Sequence, residues 1–202
     1  SGSCPQILPP DARGQRDFMT GLPSPPSRQL LHNRNIQLAC YEREDGLFDV
    51  EGHLVDTKPF DLVLSTARRK NAGAPIHDMR LRLTFDETLT IVDAEGVMDV
   101  PAHEFCNGAL PSYKALVGLR IGSGWVRDAL KRIQRSDGCT HMSEMFTEIG
   151  TTAMQGMYGR ANRNQRLDKT AKRKMAPVLE NTCFGWRSGG PIATAANGPK
   201  DA

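Results

Sequence analysis

Apolar and polar residues alternate in four segments in the first half of the chain. Segments 36–41 and 47–55 lie on either side of a REDG turn, and segments 79–85 and 89–94 lie on either side of a DET turn. Alternation with a period of two is typical of β-strands that bury one face, and it is clearest in segment 79–85, where every odd-numbered residue is apolar. Each pair of segments therefore predicts an antiparallel hairpin.

After Pro111 the apolar residues recur every three or four positions, which is the period of an α-helix. The pattern predicts helices over 113–119 and 124–134, and a third helix with Thr140 as its N-cap. The apolar positions of this third helix are Met142, Phe146, Ile149, Ala153 and Met157. Strands followed by helices indicate the α+β class, here an antiparallel sheet built from hairpins with C-terminal helices packed on one face.

Composition limits the folded part of the chain. The 202 residues are enough for one hydrophobic core, but only 39% of them are hydrophobic. Residues 1–27 and 187–202 are rich in Pro or in Gly and Ala and lack periodicity, so we expect flexible tails around a single domain over 28–186. An uncovered sheet edge in so small a domain favours a homodimer.

Charge and cysteine content narrow the class of protein. The net charge is +3, but segment 160–174 holds seven basic residues against one acidic residue, which makes a polyanion- or partner-binding module an alternative function. Aromatic residues are missing from this segment, which argues against binding of nucleic acid.

Five cysteines without a CxxC pair argue against a disulfide framework and a zinc ribbon. With neither a signal peptide nor an apolar run long enough for a membrane, we expect a cytoplasmic protein.

The densest group of reactive side chains lies in segment 136–148, which reads SDGCTHMSEMFTE. His141 and Glu144 are three residues apart at the start of the predicted third helix, so their side chains can meet on one stripe. Cys139 lies at the helix N-terminus, where the helix dipole lowers the pKa of a thiol. Groups able to move protons are therefore gathered on one rigid element.

The segment GHLVDTK contributes three further candidates, His53, Asp56 and Lys58. In an extended strand Asp56 and Lys58 share one face and His53 takes the opposite face. A surface ion pair between Asp56 and Lys58 and a structural hydrogen bond from His53 are the alternative explanations.

The segment PIHDM, followed by two arginines, adds a second candidate base with its partner, His77 and Asp78. His77 shares the apolar face of its strand, where a buried neutral histidine with one hydrogen-bond partner is the alternative. Asp78, Arg80 and Arg82 form a charged stripe on the other face. This stripe lines a polar pocket if helices cover that face, and it is solvated surface if they do not.

A metal centre is a further alternative, because four residues offer soft or borderline ligands: Cys106, Cys139, His141 and His103. They occur in two short, isolated pairs, HEFC and GCTH, so the pattern favours a protein without a cofactor over a metal or iron–sulfur carrier.

Several of these segments together carry a family resemblance. From about Leu30 to Arg187 the chain resembles a bacterial family catalogued as domain of unknown function 2889. Its middle part is also loosely similar to the sulfur-acceptor and iron–sulfur scaffold fold. The blocks that carry the family resemblance are LLHNRNIQ, YEREDGLFDVEGHLVDTK, AGAPIHDMRLRLT, LVGLRIGSGW, GCTHMSEM and NTCFGWR.

The family resemblance implies an activity as an expectation: a cofactor-independent lyase step in the breakdown of lignin-derived aromatic dimers, which expels formaldehyde from a hydroxymethyl group. Such a retro-aldol-type cleavage needs a base for the hydroxyl proton, a partner for a phenolate and a slot for the aromatic substrate. His141 with Glu144, or His77 with Asp78, fits the base and its orienting partner, and Asp56 and Lys58 complete the catalytic candidates. The substrate-binding candidates are Arg80, Arg82, His53, Tyr113, Trp125 and Met145.

Overall fold

The protein was analysed as a computed structural model that describes residues 26–64, 68–163, 181 and 183–197. The chain divides into two units, 1–31 and 32–202. In the first unit the described residues, 26–31, carry no regular secondary structure. The tail expected over 1–27 therefore lies almost wholly outside the described residues, and so do residues 164–174 of the basic segment and residues 198–202. All elements described below belong to the second unit.

Four long strands form one antiparallel sheet in the order β1-β2-β5-β6, and two short strands form a separate antiparallel pair, β3–β4. Both predicted hairpins are confirmed, with strands that extend beyond the predicted limits. The strands are β1 Asn33–Glu42, β2 Phe48–Thr57, β3 Leu62–Val63, β4 Arg69–Lys70, β5 Pro75–Phe85 and β6 Ile91–Val100.

The turn between β1 and β2 fixes the register of the first hairpin. Gly46 adopts a positive φ of 84°, a conformation that glycine reaches without a steric penalty. The Arg43 amide donates to the Leu47 carbonyl at 2.9 Å and closes the turn. As a result Glu42 pairs with Phe48, and nine pairs further along, Asn33 meets Thr57. This register decides which side chains of β1 face those of β2.

Helical elements follow the sheet, as predicted, but their limits differ. A 3-10 helix replaces the short helix predicted over 113–119, and the long third helix is interrupted at Met145. A further helix lies within 187–202, where we expected a flexible tail. The elements are the 3-10 helix Glu104–Leu116, α1 Trp125–Arg132, α2 Thr140–Glu144, α3 Phe146–Arg163 and α4 Pro191–Asn197.

The predicted cap at Thr140 is wrong, because Cys139 is the N-cap and Thr140 is the first helical residue. The reason is a contact from outside the helix. The Tyr113 hydroxyl accepts a hydrogen bond from the Cys139 amide at 3.0 Å and donates to the Cys139 carbonyl at 3.1 Å. These bonds hold Cys139 in an extended conformation as the N-cap, so α2 begins at Thr140, one residue earlier than predicted.

The hydrophobic core lies between one face of the sheet and the helices, which confirms the α+β class. Leu54, Leu81, Met142 and Ile149 are fully buried there. The other face of the sheet is polar: Arg82, for example, forms ion pairs with Glu95 and Glu51 across neighbouring strands.

Two glycines of the sheet allow the helices to approach it closely. A methyl group at Gly52 would lie 3.1 Å from Met145 Sδ, and one at Gly96 would lie 2.8 Å from Met142 Cε. Both methionines belong to the segment that carries His141. The bare backbone at these two positions therefore sets how near that segment comes to the strands.

Two predictions concerned the surface of the protein: the basic segment 160–174 and the lack of a membrane span. Arg160, in the described part of the basic segment, pairs with Glu42 at 2.6 Å and with Glu87 at 3.0 Å, so part of its charge is balanced by the sheet. Among the described residues, no helix combines the length and the apolar character needed to cross a lipid bilayer.

Candidate functional site: a buried aspartate with three histidines

Asp56 is the centre of the site. It lies on the inward face of β2, two residues after the buried Leu54, and its side chain is only 1% exposed. Arg34 on β1 is directly opposite. Its Nε donates to Asp56 Oδ1 and its Nη2 to Oδ2, each at 2.8 Å. A paired guanidinium makes the burial of this carboxylate tolerable.

His77 is the cross-strand neighbour of Asp56 on β5. Its Nδ1 lies 2.8 Å from Asp56 Oδ2, and its side chain is 12% exposed. Because a carboxylate only accepts, Nδ1 carries the proton, which leaves Nε2 of a neutral His77 with a free lone pair. His32 Nε2 approaches the other carboxylate oxygen, Oδ1, at 3.2 Å.

His141 comes from the helical side of the site. Its ring lies against that of His77, with 3.9 Å between the ring centroids and a tilt of 38°. Its Nε2 is 4.0 Å from Asp56 Oδ2, and its Nδ1 is 3.9 Å from Cys139 Sγ. The side chain is 30% exposed, so His141 connects the buried carboxylate with solvent.

The charges of the site follow from these contacts. Burial raises the pKa of Asp56, but the hydrogen bonds from Arg34 and then from His77 outweigh it and lower this pKa to about 2. Burial and next the neighbouring His77 lower the pKa of His141 below its ordinary value of 6.5. At neutral pH the site therefore holds an ionised aspartate, an ionised arginine and a neutral His141.

Glu144 completes the group that we call the Asp56 cluster: His32, Arg34, Asp56, His77, His141 and Glu144. Its Oε2 accepts a hydrogen bond from Arg34 Nη1 at 2.5 Å, and its side chain is 48% exposed. The predicted orienting bond from Glu144 to His141 is replaced by this contact with Arg34. Glu144 nevertheless lies in the same cluster, as its spacing from His141 predicted.

The structure separates the other charged candidates from the cluster. The predicted pair of His77 and Asp78 is wrong, because neighbours in a strand point to opposite faces. On the outer face Asp78 Oδ1 lies 2.7 Å from His53 Nε2, and Arg80 pairs with Asp99. Arg80, Arg82 and His53 thus lie across the sheet from His141, and within the described part of the chain their side chains are 34–48% exposed, as on a solvated surface.

Lys58 and the three predicted slot residues are not members of the Asp56 cluster. Lys58 follows β2, and Arg34 and His77 take the place of Lys58 in the alternative ion pair with Asp56. The three slot residues are buried in the hydrophobic core: Tyr113, Trp125 and Met145.

Metal binding was an alternative interpretation of the sequence. The described residues contain one group of three potential ligands, Asp56, His77 and His141, whose ligand atoms lie within 4.8 Å of one another. Cys139 is near this group, but Cys106 is not part of it. Both oxygens of Asp56 already accept hydrogen bonds from Arg34, and a metal ion there would lie close to the positive guanidinium. An aspartate and two histidines are ligand types that metal ions bind, whereas the positive charge of Arg34 disfavours a cation at this position.

Sequence reasoning missed His32 and Arg34. Arg34 was detectable in principle, because pairing across a hairpin that turns at REDG places position 34 opposite position 56. His32 lies just before β1 and has no periodic signal of its own. Neither residue stands near another candidate in the sequence, so only the register of the sheet brings them to Asp56.

Comparison with known proteins agrees with the family resemblance. No curated protein and no solved structure matches the chain. A family model described as "Protein of unknown function (DUF2889)" matches residues 32–155, a range that contains every member of the Asp56 cluster. Because this match spans more than half of the 202 residues, the chain belongs to the DUF2889 family.

Proposed function

We propose that the Asp56 cluster is an acid–base site and that the protein is a lyase releasing formaldehyde from the hydroxymethyl group of a lignin-derived, para-hydroxylated aromatic dimer. The observation that carries the acid–base part is the contact of two histidines above one buried carboxylate, with ring centroids 3.9 Å apart. The substrate class rests on the family resemblance.

His141 is the proposed general base. Its lowered pKa keeps the imidazole neutral and able to accept a proton at neutral pH, and its 30% exposure allows a substrate hydroxyl to reach it. His77 in its imidazolium form is the proposed proton donor to the leaving group, and it gives the proton on Nε2. Asp56 holds Nδ1 of His77 and stabilises the imidazolium that forms when Nε2 takes up a proton.

The proposed reaction needs no external electron acceptor. The phenolate form of the ring expels a leaving group from the benzylic carbon, to which His77 gives a proton, and a quinone methide results. His141 then removes the proton of the hydroxymethyl group. The bond between the hydroxymethyl carbon and its neighbour breaks, formaldehyde leaves, and the freed electron pair forms a double bond to the benzylic carbon. The ring returns to the phenolate, and the proton on His141 replaces the one lost from His77.

The test is a formaldehyde-release assay on the purified full chain with a hydroxymethyl-bearing, para-hydroxylated aromatic dimer. We expect release by the native protein and a loss of about 10²-fold or more in His141→Ala, which is the usual contribution of a general base. His103→Ala is the matched control, since His103 is an exposed histidine at the start of the 3-10 helix. Circular dichroism establishes that both variants fold.

Two results would contradict the proposal. Absence of release by the native protein removes the lyase assignment. Full turnover by a folded His141→Ala variant removes His141 as the base and leaves the chemistry to another residue.

A further inference from the structure

The proposed proton transfers leave one edge of the Arg34 guanidinium unused. Two of its nitrogens, Nε and Nη2, donate to the buried Asp56, which fixes the plane of the group. The third nitrogen, Nη1, donates to Glu144. Arg34 is therefore a rigidly held cation with one edge at the exposed side of the cluster. A planar guanidinium held in this way presents two parallel donors to an oxyanion.

Glu144 holds that edge only through an exposed contact. Its side chain is 48% exposed, and it is the last residue of the five-residue helix α2. Ion pairs in such a position are weak and are readily exchanged for another anion, because solvent and salt screen them. In contrast, the other edge of the same guanidinium donates to the buried Asp56.

We propose that this edge of Arg34 binds an anionic oxygen, carboxylate or phenolate, of an aromatic ligand, and that Glu144 is an internal competitor that the ligand displaces. The ring of such a ligand would lie beside the exposed imidazole of His141, three residues before Glu144 on α2. Aromatic rings in contact with an imidazole gain from stacking. Identifying this ligand with the substrate rests on the proposed function, whereas anion binding rests on the geometry alone.

The inference is tested by binding, without turnover, of two unreactive probes to the full chain: benzoate and 4-nitrophenolate at pH 8. We expect Glu144→Gln to tighten the Kd of at least one probe about two- to fivefold at low salt, the range that follows from the strength of an exposed ion pair. Glu148→Gln is the matched control. It removes the same charge from an exposed position one turn further on, and we expect it to leave the Kd unchanged.

A second variant tests the cation itself. Arg34→Lys keeps the charge but cannot hold Asp56 with two bonds and present a second edge, so we expect a weaker affinity than in the native protein. Since this change also disturbs the buried Asp56, its folding must be checked by circular dichroism, and the Glu144→Gln result is the decisive one.

Equal changes of the Kd in Glu144→Gln and Glu148→Gln would overturn the inference, because they would indicate only a long-range effect of charge. Lack of binding of both probes to Glu144→Gln would overturn it as well. Formaldehyde release without anion binding would leave the proposed function standing. Anion binding without formaldehyde release would leave this inference standing and remove the lyase.

Discussion

Replacement of Asp56 by asparagine is the perturbation whose size the structure defines best. The pKa of Asp56 falls from 3.8 to about 2, and because its side chain is 1% exposed this shift corresponds to about 2 kcal/mol of stability from the ionised form. The amide of asparagine also places N–H groups against Arg34 or His77. We therefore expect Asp56→Asn to lower the free energy of unfolding at pH 7 by about 2–4 kcal/mol.

The lowered pKa of Asp56 also predicts how the difference in unfolding free energy between the native protein and Asp56→Asn changes with pH. A carboxylate whose pKa is lowered on folding stabilises the protein above its unfolded-state pKa, and this stability is lost as the pH falls through the folded-state pKa. The native protein should therefore lose the contribution of Asp56 between about pH 4 and pH 2, while Asp56→Asn has none to lose. The two unfolding free energies should converge in this window.

The assay is urea unfolding followed by the fluorescence of the buried Trp125, at pH 7 and at pH 2.5. Asp99→Asn, which removes an exposed carboxylate paired with Arg80, is the control and should stay close to the native protein at both pH values. A deficit of Asp56→Asn that is as large at pH 2.5 as at pH 7 would refute the reasoning. It would mean that packing, and not the buried charge, accounts for the loss.

Three further predictions follow from the site and from the packing of α3. The rate of formaldehyde release should fall as the pH drops through the lowered pKa of His141, below 6.5, because the base must be neutral; a rate that rises on acidification would exclude this role. Treatment with EDTA should leave the rate unchanged, and a loss restored by one added metal would make the aspartate–histidine group a metal centre. Gly150→Ala should lower the midpoint of thermal unfolding, since its methyl group would lie 2.3 Å from the rigid indole of Trp125, at a cost of about 1–3 kcal/mol. Gly159→Ala in the same helix meets no atom within 4 Å and should raise the midpoint, so equal shifts in both variants would contradict the packing argument.

The elements that the sequence predicted best are those whose signal is local. The alternation in 79–85 depends only on neighbours along the chain, and all four apolar residues of that segment are buried. The prediction of Thr140 as the helix cap was wrong for the opposite reason. The hydroxyl that holds Cys139 in an extended conformation belongs to Tyr113, 26 residues earlier. The sequence around Cys139 does not indicate this contact.

The contacts of the candidate site were likewise predicted where they are local in the sequence and missed where they depend on strand pairing. His141 and Glu144 were found together because three residues on a helix bring them together. The partner of His77 was missed because it depends on the pairing of β2 with β5, and a choice made from adjacent residues favoured Asp78. Arg34 reaches Asp56 only through the register of the first hairpin. Reading the register of the first hairpin from its REDG turn would have recovered the contact of Arg34 with Asp56. The contact of His77 would still have been missed, because β3 and β4 lie between β2 and β5 in the chain and no predicted turn joins these two strands.

The two positions of the sheet without side chains, Gly52 and Gly96, have a consequence for the spacing between His77 and His141. The helical segment with His141 rests on the sheet through Met142 and Met145, and these unbranched thioether chains fill the space that the glycines leave. The gap between a helix-borne and a strand-borne histidine is therefore governed by side-chain volume on β2 and β6, away from any reacting atom. Substitutions at these buried contacts can therefore alter the spacing of the two histidines while every residue of the Asp56 cluster stays the same.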